Sequence, residues 1–180
     1  MTSYTSLPNL ITLARLCLVP VIIAMISAGR WPEACLIFIA AGVSDAIDGW
    51  LAKTFNLQTE LGAYLDPLAD KALLVSIYVA LAVFAAVPSW LTILVVARDV
   101  MIIGAFMISW LMNKPVAIHP LWISKANTTA QIGFAAAVLG AKAFQFTLGP
   151  AFLICTLAVA ALTLTSLAAY LAVWARHMSL

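Results

Sequence analysis

The stretch ACLIFIAAGVSDAIDGWLAKTFNLQTELGAYLDPLAD, residues 34–70, is an apolar run ending in two aspartates, a short polar segment, and a second run opening on two more. These acids are Asp45, Asp48, Asp66 and Asp70, four of only seven acidic residues in a chain of 180. Asp48 follows Asp45 by three positions and Asp70 follows Asp66 by four, so on helices each pair shows both carboxylates on one face. The polar segment lets the two helices run antiparallel, which brings both pairs to one depth. Four like charges at membrane depth are untenable unless cations neutralise them. The stretch therefore predicts a membrane hairpin with a metal-binding end.

Composition extends this reading to the whole chain. It is 65% hydrophobic and 9% charged, against about 25% charged residues in ordinary soluble domains. A chain of this length holds about six membrane helices of ~20 residues each, with little left over. The expected fold is all-α: one integral membrane domain over residues 1–180, with six transmembrane helices and a short amphipathic N-terminal lead-in. A net charge of +2 with no basic run gives no argument for nucleic acid. Met1 to Pro8 lacks a charged leader and a small-residue cleavage site, so the first apolar run is expected to be kept as a helix. Cys17, Cys35 and Cys155 lie within apolar runs without CxxC spacing and read as small buried hydrophobes.

The six runs cover about 8–28, 34–51, 62–86, 90–112, 124–139 and 150–174, separated by Gly29-Arg30, the polar 53–61 segment, Val87-Pro88-Ser89, Asn113-Lys114-Pro115 and Gly149-Pro150. Six spans put both termini on one side. Lys53, Lys114, Lys125 and Arg176 fall on that side, against Arg30 and Lys142 on the other, so it is expected to be cytoplasmic. Trp31, Trp90, Trp110, Trp122 and Trp174 fall near predicted helix ends, where an aromatic belt would sit.

An oxygen-only donor set suits a hard ion, Mg²⁺ or Mn²⁺. Two such ions would clamp a diphosphate and stabilise both attacking and leaving oxygens. Gly49 and Gly62 leave room for a bulky ligand beside the backbone, and Lys53 adds a cation for phosphate. The string Asp45-x-x-Asp48-Gly49-x-x-Ala52-Lys53, then Gly62-x-x-x-Asp66-x-x-x-Asp70, resembles the signature of the CDP-alcohol phosphatidyltransferases. Members of that family are membrane enzymes that displace CMP from a CDP-linked donor with an alcohol. By this resemblance Asp45, Asp48, Asp66 and Asp70 are metal ligands, and Asp70 is also the general base. Spacing and charge alone do not choose which aspartate is the base. Asp48, Gly49, Ala52, Lys53 and Gly62 would line the donor pocket. The family's usual residue at position 53 is arginine; lysine keeps the charge but not the bidentate geometry.

Pro8-Asn9-Leu-Ile-Thr12-Leu-Ala-Arg15 and Leu65-Asp66-Pro67-Leu-Ala-Asp70-Lys71 resemble the phosphatidylglycerol-phosphate and cardiolipin synthase branch. Phosphatidylglycerol-phosphate synthases carry Lys-x-Lys-Thr where this chain has Lys125-Ala126-Asn127-Thr128. Two lysines there suit glycerol 3-phosphate, with its doubly charged phosphate. Asn127 removes one positive charge, which looks more like the eukaryotic-type cardiolipin synthases, whose acceptor is the singly charged phosphatidylglycerol. Arg15, Arg98, Lys125, Asn127 and Thr128 are the expected acceptor-binding residues. Each also has a plainer reading: Arg15 as a headgroup anchor, Arg98 as an intramembrane partner of Asp99, Lys125 as a snorkelling cation, Asn127 and Thr128 as helix caps. Lys71 is expected to neutralise the acidic cluster, and His119 and His177 to lie at the interface. The resemblance implies CDP-diacylglycerol as donor, phosphatidylglycerol or glycerol 3-phosphate as acceptor, a homodimer, and an inner-membrane location with the site facing the cytoplasm. From a different class, a cation transporter is the alternative, disfavoured because the acids sit at one face and no inverted repeat is visible.

Overall fold

The structure is a computed structural model that describes residues 6–54, 60–111 and 122–178. These residues form the helices α1 (Ser6–Ser27), α2 (Trp31–Thr54), α3 (Glu60–Val83), α4 (Ser89–Leu111), α5 (Trp122–Ala143) and α6 (Pro150–Met178), with no strand among them. Each apolar run is one helix. The differences from expectation lie at the ends. Pro32 and Glu33, expected in a link, occupy the first turn of α2, where the missing proline N–H is no loss and an acid complements the helix dipole. α5 runs past Leu139 and carries Lys142 in its last turn, where a cation suits the unpaired carbonyls. α1 is continuous from Ser6, so the expected N-terminal lead-in is no separate helix among the described residues.

Helix ends share one solution. After α1, Gly29 N–H donates to Ile26 O at 3.0 Å and Arg30 N–H to Met25 O at 2.9 Å, with Gly29 at φ 71°. After α3, Ala85 N–H donates to Ala82 O at 3.0 Å and Ala86 N–H to Leu81 O at 2.8 Å, with Ala85 at φ 51°. Both are Schellman caps, and the second places a side chain in the left-handed region. Gln145, at φ 55°, follows α5 in the same way.

The chain divides into two compact units, Met1–Val87 with Ala136–Thr147, and Pro88–Ala135 with Leu148–Leu180. In the first, α1 packs on α2 and α3. Its buried positions are Arg15, Ile22 and Ile26 on α1 and Ala34, Phe38 and Ala41 on α2, spacings of three, four and seven that keep a single face. Leu74, Ile77, Tyr78 and Leu81 complete the core from α3. At one end Lys142 Nζ lies 5.6 Å from the centre of the Trp31 ring. Beside it Arg30 donates from Nε and Nη2 to Glu33 Oε1 at 3.0 and 2.7 Å, which holds the Glu33 carboxyl below the ordinary glutamate range.

In the second unit α4 packs on α6. Arg98 of α4 bonds Ser166 of α6, and further along Trp174 Nε1 of α6 donates to Ser109 Oγ of α4 at 2.8 Å. Residue numbers rise together between these two links, so α4 and α6 run parallel. Between α5 and α6 they run oppositely, Asn127 meeting Thr163 and Phe134 meeting Phe152 at 5.7 Å between ring centres. Those helices are antiparallel.

Among the described residues two helical stretches, Ser89–Ser109 and Pro150–His177, are long and apolar enough to cross a membrane; at 1.5 Å per residue they span roughly 30 and 40 Å. Beside an apolar core, buried polar groups and exposed large apolar side chains occur together. Arg98, Asp99, Asn127, Gln131, Thr163 and Ser166 are buried, whereas Leu36, Ile93, Met107, Leu111 and Ile154 are each more than 60% exposed. A hydrocarbon surround tolerates that arrangement and water does not.

Candidate active site

Asp45 lies on α2 four residues beyond Ala41, in the stripe that faces α1. There its Oδ1 meets Arg15 Nη2 at 2.6 Å. The arginine side chain is 4% exposed and the aspartate 42%. A buried guanidinium requires a carboxylate, and this one is Asp45. Partial exposure leaves lone pairs of that carboxylate open to a further cation. Arg15, expected with the acceptor residues, is thus joined to the first aspartate of the signature.

Asp48, Gly49, Ala52 and Lys53 belong to α2, and Gly62, Asp66 and Asp70 to α3. Their side-chain surroundings lie outside the described residues, as do those of His119. Among the described residues no three His, Cys, Asp or Glu side chains gather as metal donors. By residue type alone, the carboxylates at positions 45, 48, 66 and 70 are oxygen donors of the kind a hard divalent ion takes; of these, Asp45 is the one whose surroundings are described, held by a buried arginine.

The remaining expected residues belong to the second unit. Arg98, 3% exposed, donates from Nη1 to Asp99 Oδ1 at 2.6 Å, and from Nη2 to Ser124 Oγ on α5 at 2.6 Å and Ser166 Oγ on α6 at 2.7 Å. Its guanidinium also lies 5.7 Å from the centre of the Tyr170 ring. Adjacent helical residues do not ordinarily face each other; here the length of the arginine lets it curl back to its neighbour. Asn127 is fully buried, its Oδ1 accepting from Thr163 Oγ1 at 2.9 Å. Thr163 Oγ1 in turn accepts from Gln131 Nε2 at 3.2 Å. Lys125 is exposed, with Nζ 5.6 Å from the centre of the Trp122 ring, and Thr128 is half-buried. His177 lies in the last turn of α6.

Thr163 and Ser166 are the residues that sequence reasoning missed. In sequence the sixth run, residues 150–174, reads as scaffold or dimer surface, because hydroxyl residues scattered through an apolar run look inert. A usable signal exists in the hairpin: Ser124 and Asn127 stand 19 and 16 residues before the end of α5, and Ser166 and Thr163 stand 16 and 13 after the start of α6. In an antiparallel pair such matched counts place them at matched depths.

The described chain is α-helical, buries Arg15, Arg98 and Asp99, and carries Asp-x-x-Asp on one helix and Asp-x-x-x-Asp on the next. The family model of CDP-alcohol phosphatidyltransferases matches residues 5–176, and the chain belongs to that family. It is 32% identical over 157 residues to cardiolipin synthase (CMP-forming) of Rattus norvegicus and likewise of Homo sapiens, covering 78% of this chain and 52% of each relative. It is 34% identical over 149 residues to CDP-diacylglycerol–glycerol-3-phosphate 3-phosphatidyltransferase of Bacillus subtilis, covering 74% of this chain and 76% of that one. The chain spans about half the length of the cardiolipin synthases it matches.

Proposed function

We propose that the protein transfers the phosphatidyl group of CDP-diacylglycerol to phosphatidylglycerol, forming cardiolipin and releasing CMP. The transferase activity rests on family membership. The choice of acceptor rests on the charge at this helix start: Arg98 already shares its charge with Asp99 at 2.6 Å, and the position two residues beyond Lys125 is the neutral, buried Asn127. Lys125 then stands as the exposed cation of this helix start, enough for a phosphodiester and poor for a doubly charged phosphate. Glycerol 3-phosphate is the second reading, favoured because the Bacillus relative named for it is matched over more of its length than the cardiolipin synthases.

In this reading Asp45, Asp48, Asp66 and Asp70 hold two Mg²⁺ or Mn²⁺ ions, whose chemistry is to neutralise the diphosphate and the charge developing on CMP. Counting back by fours from buried Tyr78 and Leu74 reaches Asp70 and Asp66, which supports their sharing a face. Asp48, Gly49, Ala52, Lys53 and Gly62 receive the cytidine diphosphate. Asp70 takes the proton of the acceptor hydroxyl. That oxygen forms a bond to the phosphorus of the phosphatidyl group, and the P–O bond to CMP breaks, CMP leaving with the electron pair. Arg98, Lys125, Asn127 and Thr128 receive the acceptor head group. All six helices cross the bilayer of the inner membrane, with both termini and the chemistry on the cytoplasmic side and a second copy of the chain as partner. Supporting this are the alternating directions of α4, α5 and α6.

Purified protein supplied with CDP-diacylglycerol and Mn²⁺ tests the reading, with phosphatidylglycerol and glycerol 3-phosphate offered separately. CMP release with phosphatidylglycerol alone is expected. Release only with glycerol 3-phosphate would reverse the acceptor, and release with neither would end the enzyme reading.

A further inference from the structure

Hydrogen-bond bookkeeping in the second unit leaves two buried donors unused. Arg98 spends both Nη2 protons on Ser124 and Ser166 and one Nη1 proton on Asp99, while its Nε has no partner among the described residues. The Asn127 Nδ2 amide likewise has none, although the residue is 0% exposed. A buried donor left unpaired is costly, so such groups are rarely left without a role. Both orphans depend on hydroxyls of α6 one turn apart, Ser166 for Arg98 and Thr163 for Asn127.

Thr163 has one hydroxyl proton and two acceptors in reach, Asn127 Oδ1 at 2.9 Å and the Val159 carbonyl at 2.7 Å. That carbonyl already faces the helix N–H of Thr163 four residues on, so Asn127 has the greater need of the proton. Gln131 Nε2 fills a lone pair on the same oxygen. The order of donation is therefore Gln131 to Thr163 to Asn127, which uses the amide oxygen and leaves the NH₂ as the unspent end of the side chain. An unspent NH₂ is the right polarity for a phosphodiester or hydroxyl oxygen. Reversed, the amide would offer an oxygen to an anion and repel it.

We infer that Thr163 and Ser166 are positioning residues for the acceptor. Thr163 sets the Asn127 amide with its NH₂ toward the head group, and Ser166 holds the Arg98 guanidinium from α6 as Ser124 does from α5. The inference rests on the acceptor reading above and deepens it.

The test uses full-length protein in lipid nanodiscs, with CMP release measured against phosphatidylglycerol, or glycerol 3-phosphate if that is the alcohol turned over. Thr163→Val, which keeps the shape and removes the hydroxyl, should raise the acceptor KM about tenfold, as expected for ~1.4 kcal/mol. The KM for CDP-diacylglycerol and kcat should stay within about twofold. Thr163→Ser should restore the wild-type value, and Ser166→Ala should raise the acceptor KM in the same selective way. Thr165→Val is the control, since Thr165 is exposed and bonds only its own helix carbonyls. An unchanged acceptor KM in Thr163→Val, or equal rises for donor and acceptor, would overturn the inference. Asn127→Ala separates the two levels. If it leaves the acceptor KM unchanged, the acceptor reading itself fails; if it raises that KM while Thr163→Val does not, only the role of α6 fails. Should Thr163→Val not fold, Ser166→Ala and Thr163→Ser against wild type decide the matter by the same ratio of KM values.

Discussion

Replacing Arg98 by methionine tests whether the buried charge clamp holds the second unit together. Arg98→Met keeps a long apolar side chain but deletes the bonds to Asp99, Ser124 and Ser166 and takes the arginine cation away from a carboxylate that is 4% exposed. Breaking a buried ion pair from one side costs about 3–5 kcal/mol, chiefly through the charge left behind. For a chain of this size, at roughly 2–4 °C per kcal/mol, the melting temperature should fall on the order of 6–20 °C. The double variant R98M/D99N removes that buried charge as well and should recover a third or more of that loss. Arg98→Lys should fall between, because an ammonium can meet Asp99 but cannot also fork to two serines on different helices. Thermal unfolding in detergent, followed by tryptophan fluorescence, reads all three. A fall below about 4 °C for Arg98→Met, or a double variant as unstable as the summed singles, would refute the clamp.

Asp70→Asn should abolish CMP release while leaving the melting temperature within a few degrees; retained turnover would remove Asp70 as the base. Ala85→Gly should stabilise the cap after α3 by up to ~1 kcal/mol, because glycine holds a positive φ without the β-carbon clash. Gly29→Ala should cost about the same in the opposite direction, since no atom lies within 4 Å of the added carbon and only the φ of 71° resists it; chemical denaturation reads both signs. The Arg30–Glu33 contact stabilises the fold above the unfolded glutamate pKa and is lost as pH falls through the lowered folded value. A carboxyl NMR titration should accordingly put Glu33 below an ordinary glutamate, and Arg30→Gln should raise it toward the ordinary value.

Most of the helical layout was legible because each helix is a nearly unbroken apolar run, and Gly29 announces its own cap. Ala85 and Gln145 were not legible, since nothing in their side chains asks for a positive φ; the Schellman bonds impose it. The four aspartates stand out in the sequence because charge is so scarce here, and of them the structure describes the surroundings of Asp45. The partner of Asp45 was not named, yet it was within reach: Arg15 lies 12 residues before the end of α1 and Asp45 lies 14 after the start of α2, nearly level in a tight hairpin. Arg98 was read both as an acceptor contact and as a partner of Asp99, and the second contact is present at 2.6 Å. The hydroxyls of α6 escaped notice because an all-round apolar helix does not reveal which face turns inward.

The adjacency of Arg98 and Asp99 matters before the fold is complete. Ribosomes deliver α4 to the bilayer ahead of α5 and α6, so at that moment neither Ser124, Ser166 nor Tyr170 exists to receive the guanidinium. A lone arginine or aspartate at the centre of an inserting helix costs about 2.5–3.5 kcal/mol. Because the two charges are consecutive and the folded protein bonds them through Nη1, α4 contains its own counter-ion and has no net charge to bring into the lipid. The last helix then finds a polar socket waiting, and its docking converts a self-contained ion pair into a joint among three helices.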